Sequence, residues 1–99
     1  MDIIRNVAFS VGTTNIIIAP QLLEGQRDVL VITNTSTGGQ VITIQTGDTA
    51  NVVGAGIILY PAGSWSESTD SAFRPSNLEY WAISSGAGGT LAIQERIKR

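Results

Sequence analysis

Two acidic residues near an aromatic one are the first candidates for catalysis in this chain. Glu67 and Asp70 follow Trp65, and a carboxylate pair beside an aromatic sugar platform would suit glycoside hydrolysis. Residues three apart on a strand point to opposite faces, so these two carboxylates could not cooperate there. Charge that keeps an edge strand soluble is the alternative interpretation.

The other polar residues supply no further catalytic set. Asp48 and Asn51 could ligate a hard cation, but calcium loops usually need more carboxylates than this, so a plain loop with Asx turns is the favoured interpretation. The chain has no histidine and no cysteine, which removes the usual general base, thiolate ligands and disulfides. No base is placed to activate a Ser or Thr. We therefore predict no enzymatic activity, no catalytic residue, no cofactor and no metal site.

The composition suits a protein that contacts other proteins over much of its surface, and it equally suits a stable secreted module. Charged residues make up 14% of the 99 residues and the net charge is −2, whereas an average soluble domain is about 25% charged. Ser, Thr, Gly and Asn fill the difference. The charge balance does not favour nucleic-acid binding, and no apolar run has the length of a membrane span or a signal peptide. We expect neither a nucleic-acid nor a membrane partner.

The elements that must position these residues are short strands. Apolar, β-branched or alternating runs separated by turn residues predict an all-β fold, an antiparallel β-sandwich of about eight strands that is jelly-roll-like. The predicted strands cover residues 4–11, 16–18, 29–33, 41–44, 57–60, 64–70, 78–84 and 90–98.

The centre of the prediction is the stretch 27–46. It holds two β-branched runs joined by turn-forming residues that include Gly38 and Gly39, and glycine supplies the positive φ that a tight reversal needs. We interpret it as the central hairpin of the domain.

The sequence predicts one domain over residues 1–99, with residues 1–5 as an N-terminal arm and 96–99 as a basic C-terminal tail. Either end could dock on a neighbour, and the tail could equally be solvated. The residues predicted to make interface contacts are Met1, Ile3, Arg5, Trp65, Phe73, Arg74, Arg96, Lys98 and Arg99.

The aromatic residues allow two interpretations. Tyr60, Trp65, Tyr80 and Trp81 could close a small core, with their polar atoms at its rim. If they are exposed, they could instead stack on sugar rings or anchor an interface. A carbohydrate- or receptor-binding module of a fibre or spike is therefore the alternative function, with a glycan as its partner.

Two spaced patterns carry a family resemblance. The first, R-x-x-(L/V)-x-I-x-N-x-S, is matched by Arg27, Leu30, Ile32, Asn34 and Ser36. The second, G-(I/V)-x-L-x-P-x-G, is matched by Gly56, Ile57, Leu59, Pro61 and Gly63. A late aromatic strand (80–83), a Gly-rich turn and a closing strand follow. With these features the chain resembles small virion proteins of tailed bacteriophages, of the capsid decoration, cement or head-fibre type.

The resemblance implies a β-sandwich module without catalytic residues, which acts on the capsid surface of the virion and is made in the host cytoplasm. Its implied partners are the major capsid protein and further copies of itself, with a trimer as the favoured homo-oligomer. On this basis we expect a non-enzymatic structural protein that stabilises a phage head.

Overall fold

The computed structural model describes residues 2–47, 54–69 and 75–98. Its strands are β1 (Asp2–Val11), β2 (Ile16–Ala19), β3 (Gln26–Asn34), β4 (Ile42–Thr46), β5 (Ile57–Leu59), β6 (Ser64–Ser68), β7 (Tyr80–Ser84) and β8 (Gly89–Lys98). Each overlaps a predicted strand, with ends that differ by a few residues, because β-branched and alternating runs favour extended backbone. None of the described residues forms a helix of the length and apolarity needed to cross a membrane.

The strands form two four-stranded sheets that pack face to face. Sheet A has the order β1-β8-β3-β6 and sheet B the order β2-β7-β4-β5. All neighbouring strands are antiparallel, and this interleaving of the chain between two sheets is the jelly-roll arrangement. The prediction of an all-β, jelly-roll-like sandwich is confirmed.

The predicted central hairpin is wrong. β3 pairs with β8 and β6, while β4 pairs with β7 and β5, so the two strands lie in different sheets. The turn-rich segment between them crosses from sheet A to sheet B. Thr35 N donates to Thr90 O on one side of the crossing (3.0 Å), and Ser85 N donates to Val41 O on the other (2.9 Å).

The core lies between the sheets and is built from the inward rows of the strands. On β8 the inward row is Leu91, Ile93, Glu95 and Ile97, all buried, as the alternation of this strand predicts. Rows from the other strands complete a core that consists of Val11, Ile18, Ala19, Leu30, Ile32, Ile42, Ile44, Leu59, Tyr80, Ala82, Leu91 and Ile93.

Neither predicted terminal segment is free where the structure describes it. Asp2 pairs with Lys98 and Ile3 with Ile97, so residues 2–5 belong to β1 and residues 96–98 to β8. The apolar alternation of both strands extends to these ends, and Ile3 lies opposite Ile97 in the inward row, which explains the difference. Met1 and Arg99 lie outside the described residues.

Candidate functional site

The most polar part of the interior begins with Arg27, which a β-bulge turns inward. Leu30, Ile32 and Asn34 form the inward row of β3, and on a regular strand Arg27 would face the opposite side. The register of β3 against β8 shifts between Arg27 and Val29. A bulge of this kind re-aims a side chain, and Arg27 is 0% exposed.

The guanidinium of Arg27 is held by protein atoms on all sides. Its Nε donates to Glu95 Oε2 and its Nη1 to Ser76 O. Nη1 also donates to Leu78 O (3.1 Å) and Nη2 to Pro20 O (2.8 Å). The group therefore joins the β2–β3 and β6–β7 connections to sheet A.

Glu95 accepts from a second arginine on the neighbouring strand. Arg5 Nε donates to Glu95 Oε1 at 2.7 Å, and Arg5 Nη2 donates to Ile18 O at 3.1 Å. The Glu95 side chain is 1% exposed and that of Arg5 31%. One carboxylate thus bridges two guanidiniums, and Arg5 reaches from sheet A to β2 of sheet B.

Tyr80 of sheet B completes this network. Its ring centroid lies 5.1 Å from the Arg27 guanidinium carbon, which is within cation–π range. Its hydroxyl donates to Glu67 Oε1 (2.9 Å) and accepts from Ser76 N (3.0 Å). Burial, the largest cause, raises the pKa of Tyr80 from 10.0 to about 12. The phenol therefore stays protonated at neutral pH and can act as the donor to Glu67.

This network has a structural role, because its hydrogen-bond donors and acceptors bind one another. Both oxygens of Glu95 accept from arginines, and Glu67 accepts from Tyr80. Glu67 lies in the inward row of β6, while Asp70, Asp48 and Asn51 lie outside the described residues. Among the residues that are described, no group of three or more His, Cys, Asp and Glu side chains is placed to hold a metal ion.

A second buried polar group, Asn34, fixes the crossing between the sheets. Its Nδ2 donates to Gln40 O (2.9 Å) and Leu59 O (2.8 Å), and its Oδ1 accepts from Ser36 N (3.0 Å). The side chain is fully buried. Asn34 therefore holds the β3–β4 crossing against the end of β5.

The glycines of the second sequence pattern shape the turns around β5. A Cβ on Gly56 would lie 2.4 Å from Ile44 O, and one on Gly63 would lie 2.9 Å from Tyr60 O. Ala62, between Pro61 and Gly63, has a φ of 67°, which is unusual for a residue with a side chain. Close backbone approach thus accounts for both glycines.

The residues that carry the resemblance therefore have structural roles in this chain. Those of the first pattern are all buried, namely Arg27, Leu30, Ile32, Asn34 and Ser36. Sequence reasoning missed the network around Arg27 and Glu95. No residue pattern signals it, because the inward direction of Arg27 depends on a bulge, and the bulge is recognisable only in the pairing of β3 with β8.

The aromatic residues are not gathered into one platform. Tyr80 is buried in the core, as one of the two interpretations predicts, and Trp65 is partly buried against it. Trp81 is partly buried on the outer face of sheet B, beside Ile17 and Gln45 in register. Tyr60 follows β5 and is 66% exposed.

The predicted interface residues are dispersed as well. Ile3 and Arg5 face inward from β1, and Trp65 faces inward from β6. Arg96 and Lys98 are exposed on the outer face of β8. Phe73 and Arg74 fall in a part of the chain that the structure does not describe.

The outer face of sheet A carries small, uncharged side chains at its centre. Ala8 lies opposite Ala92, which lies opposite Thr33, and larger neighbours leave a shallow depression of about 390 Å³ over these residues. Its rim includes Asn6, Val31 and Gln94. Such a face suits contact with another protein surface better than capture of a charged ligand.

Comparison with known proteins supports the fold alone. The chain is similar to a solved structure from Bacillus endospore appendages, described as forming a novel family of disulfide-linked pili. The likeness covers 99% of this chain and 87% of that chain, with a TM-score of 0.55 and 14% sequence identity. No protein-family profile matches the chain, and no curated protein matches it. A disulfide link cannot form in this chain, which has no cysteine.

Proposed function

We propose that the chain is a non-enzymatic structural protein that assembles through its β-surfaces, and that it decorates a phage capsid. In this role it binds the major capsid protein and further copies of itself, and it stabilises the head. The observation that carries the proposal is the outer face of sheet A, whose centre at Ala8, Thr33 and Ala92 is open, small-featured and uncharged.

Two further findings support an assembling role. The interior polar groups of the Arg27 network are occupied within the chain, so they are not available to a substrate. The pilus likeness adds an example of this fold in a protein that forms fibres. The phage setting comes from the sequence resemblance, and the virion surface is the corresponding location.

A binding experiment tests this proposal. Phage heads assembled without this protein are mixed with increasing amounts of it and pelleted, and bound protein is quantified. Saturable binding in a fixed ratio to the major capsid protein is expected, over an interface of about 1,200–2,000 Å². Heads that bind no protein at saturating concentrations would refute capsid decoration.

A matched pair of variants locates the contact. Ala92→Arg places a charge at the centre of the sheet A face, whereas Thr37→Arg places the same charge on the exposed crossing segment. Ala92→Arg should weaken head binding by at least about tenfold, since a desolvated unpaired charge opposes burial, and Thr37→Arg should not. Equal binding of the two variants would exclude this face.

One observation favours the alternative of a glycan-binding module, namely the exposed ring of Tyr60. Sugar stacking on this ring would be abolished by Tyr60→Ala and kept by Tyr60→Phe. Titration of both variants with a glycan array decides between the functions. Binding that depends on the ring, in a protein that does not bind heads, would favour the glycan module.

A further inference from the structure

The free edge of β1 is the longest and most regular of the four sheet edges that the structure describes. β1 is a ten-residue edge strand, and it pairs with β8 in unbroken register from Asp2 to Val11. It contains no proline, and its arginine, Arg5, turns inward to Glu95. Proteins usually blunt an edge with short length, proline, charge or a bulge.

The other edges carry such devices. β2 has four residues, a register shift against β7 and Pro20 at its end. β5 has three residues, and Pro61 follows in the next turn. β6 has five residues, half the length of β1. The contrast identifies β1 as the edge that is available for strand addition.

The hydrogen-bond pattern shows which groups of β1 face outward. Thr35 N donates to Thr90 O, so the even-numbered residues of β8 direct their backbone groups toward β3. In an antiparallel ladder the odd-numbered ones then face β1. It follows that Ile4, Asn6, Ala8 and Ser10 present their N–H and C=O groups at the open edge. In the part of the chain that is described, no strand pairs with this edge.

We propose that this edge binds the same edge of a second copy, as an antiparallel β1–β1 pair about a two-fold axis near Val7. Inward residues must pair with inward ones. This register does so, and it sets Ile4 opposite Ser10 and Asn6 opposite Ala8 of the second copy. Four such pairs, each exchanging two hydrogen bonds, give about eight across the contact.

A second copy fits this edge for reasons of charge, packing and length. In the proposed register neither Asp2 nor Arg5 lies opposite its own counterpart. Val7, which faces inward but remains partly exposed at the edge, lies opposite Val7 of the second copy and gains an apolar cover. Phe9 lies opposite Arg5 of the second copy. A strand of this length spans about 34 Å, close to the longest extent of the molecule, 38 Å.

The inference rests on the self-assembly part of the proposed function, and it names the β1 edge as the surface through which two copies bind. In an isologous contact two copies bind each other through the same surface, so no further copy can bind there. The β1 edge therefore predicts a dimer, with a continuous eight-stranded sheet, in place of the trimer that the resemblance implies.

The test compares prolines on the two edges of sheet A. Native mass by light scattering over a dilution series should give twice the chain mass of 10.4 kDa. Ala8→Pro removes an N–H group that β1 directs outward. Ser66→Pro is the matched control on the other edge strand, β6. Odd-numbered residues of β6 bond to β3, as Thr69 N does to Asp28 O just beyond the strand, so the N–H group of Ser66 faces outward. Proline at such edge positions is compatible with the fold.

Ala8→Pro should raise the dimer dissociation constant on the order of a hundredfold, since the two-fold axis doubles the loss. Ser66→Pro should leave it unchanged. Dissociation by both prolines would indicate head-to-tail β1–β6 pairing and overturn the two-fold contact. A monomer at all concentrations, or an oligomer that a folded Ala8→Pro variant retains, would also overturn it.

Amide hydrogen exchange in the unmodified protein provides a second readout that needs no variant. Dimer formation should protect the amides of Ile4, Asn6, Ala8 and Ser10 and leave those of the β6 edge unchanged. Exchange of these four amides that is independent of protein concentration would refute the contact. Binding to phage heads is measured separately. Capsid decoration can therefore be supported when the β1 contact is refuted, and the β1 contact can be supported when capsid decoration is refuted.

Discussion

Arg27 on β3 and Glu95 on β8 form an ion pair inside the sandwich, where their side chains are 0% and 1% exposed. Removing two charges from water is costly, and a buried pair is tolerated only when further hydrogen bonds complete it. Here Arg5 supplies a second donor to Glu95, and the carbonyls of Pro20 and Leu78 accept from Arg27. The pair therefore fixes how two loops and both sheets meet at one end of the molecule.

Arg27→Met should lower the free energy of unfolding by about 3–5 kcal/mol, because it leaves the Glu95 carboxylate buried with one partner fewer. The lost donors to Pro20 O, Ser76 O and Leu78 O add to the cost. Urea unfolding measures the change. Arg96→Met, on the exposed face of β8, is the matched control and should change stability by no more than about 0.5 kcal/mol.

A double-mutant cycle with Glu95→Leu separates the pair from its surroundings. The double variant should be less destabilised than the two single losses together, with a coupling of roughly 0.5–3 kcal/mol. It should still be less stable than the unmodified protein, because the loop carbonyls remain without their donor. Strict additivity would mean that the two side chains do not interact in solution.

Asn34→Ala tests the crossing between the sheets. The change removes the donor to Gln40 O and Leu59 O and the acceptor for Ser36 N. Each buried group left unsatisfied costs about 1–3 kcal/mol, so the urea midpoint should fall clearly. Gln94→Ala, at an exposed position of β8, serves as the control, and a similar small effect of both variants would contradict the role of Asn34.

The sequence predicts the strands well and their partners poorly, and the region around Asn34 illustrates the reason. Val29 to Thr33 and Ile42 to Ile44 are recognisable as strands from local β propensity. Their pairing depends on β8 and β7: Thr33 pairs with Ala92 and Ile44 with Ala82, partners that lie 59 and 38 residues later in the chain. A turn-rich segment looks the same whether it closes a hairpin or crosses between sheets, so the local pattern favoured the wrong partner.

The buried polar network could not be predicted from the sequence for a different reason. Glu95 occupies an inward position in an otherwise apolar row of β8, and sequence alone does not show that Arg5 and Arg27 reach it from two neighbouring strands. The bulge that turns Arg27 inward is a property of the paired sheet. The residue alternation of β8 is visible in the sequence and gives the strand one solvent-exposed face, with Gln94, Arg96 and Lys98. The burial of the Glu95 charge is explained only by the three-dimensional contacts.

Gly56→Ala tests the close approach beside β4. The new Cβ would lie 2.4 Å from Ile44 O, so the backbone must shift, and overpacking of this kind costs roughly 1–3 kcal/mol. Gly86→Ala is the matched control, because nothing lies within 4 Å of its added Cβ. Thermal unfolding of both variants measures the difference, and equal midpoints would show that the turn before β5 adapts without cost.

The titration of Tyr80 can be followed in a Tyr60→Phe variant, in which it is the remaining tyrosine of the two in the chain. Burial raises its pKa from 10.0 to about 12, and the hydrogen bond to Glu67 adds to the rise. A raised pKa means that the folded protein holds the proton more tightly than the unfolded chain. This contribution to stability is complete below about pH 10 and is lost as the pH rises through about 12.

The measurement is the ultraviolet absorbance of tyrosinate during an alkaline titration, with the urea midpoint recorded at each pH. In denaturant the tyrosine should titrate near 10. Glu67→Gln, added to Tyr60→Phe, should lower the pKa of Tyr80 because the negative charge beside the phenol is removed. The pKa should stay above 10.0, since burial is the larger cause. If Tyr80 titrates near 10 while the protein is still folded, the buried Tyr80–Glu67 contact between the sheets is absent in solution.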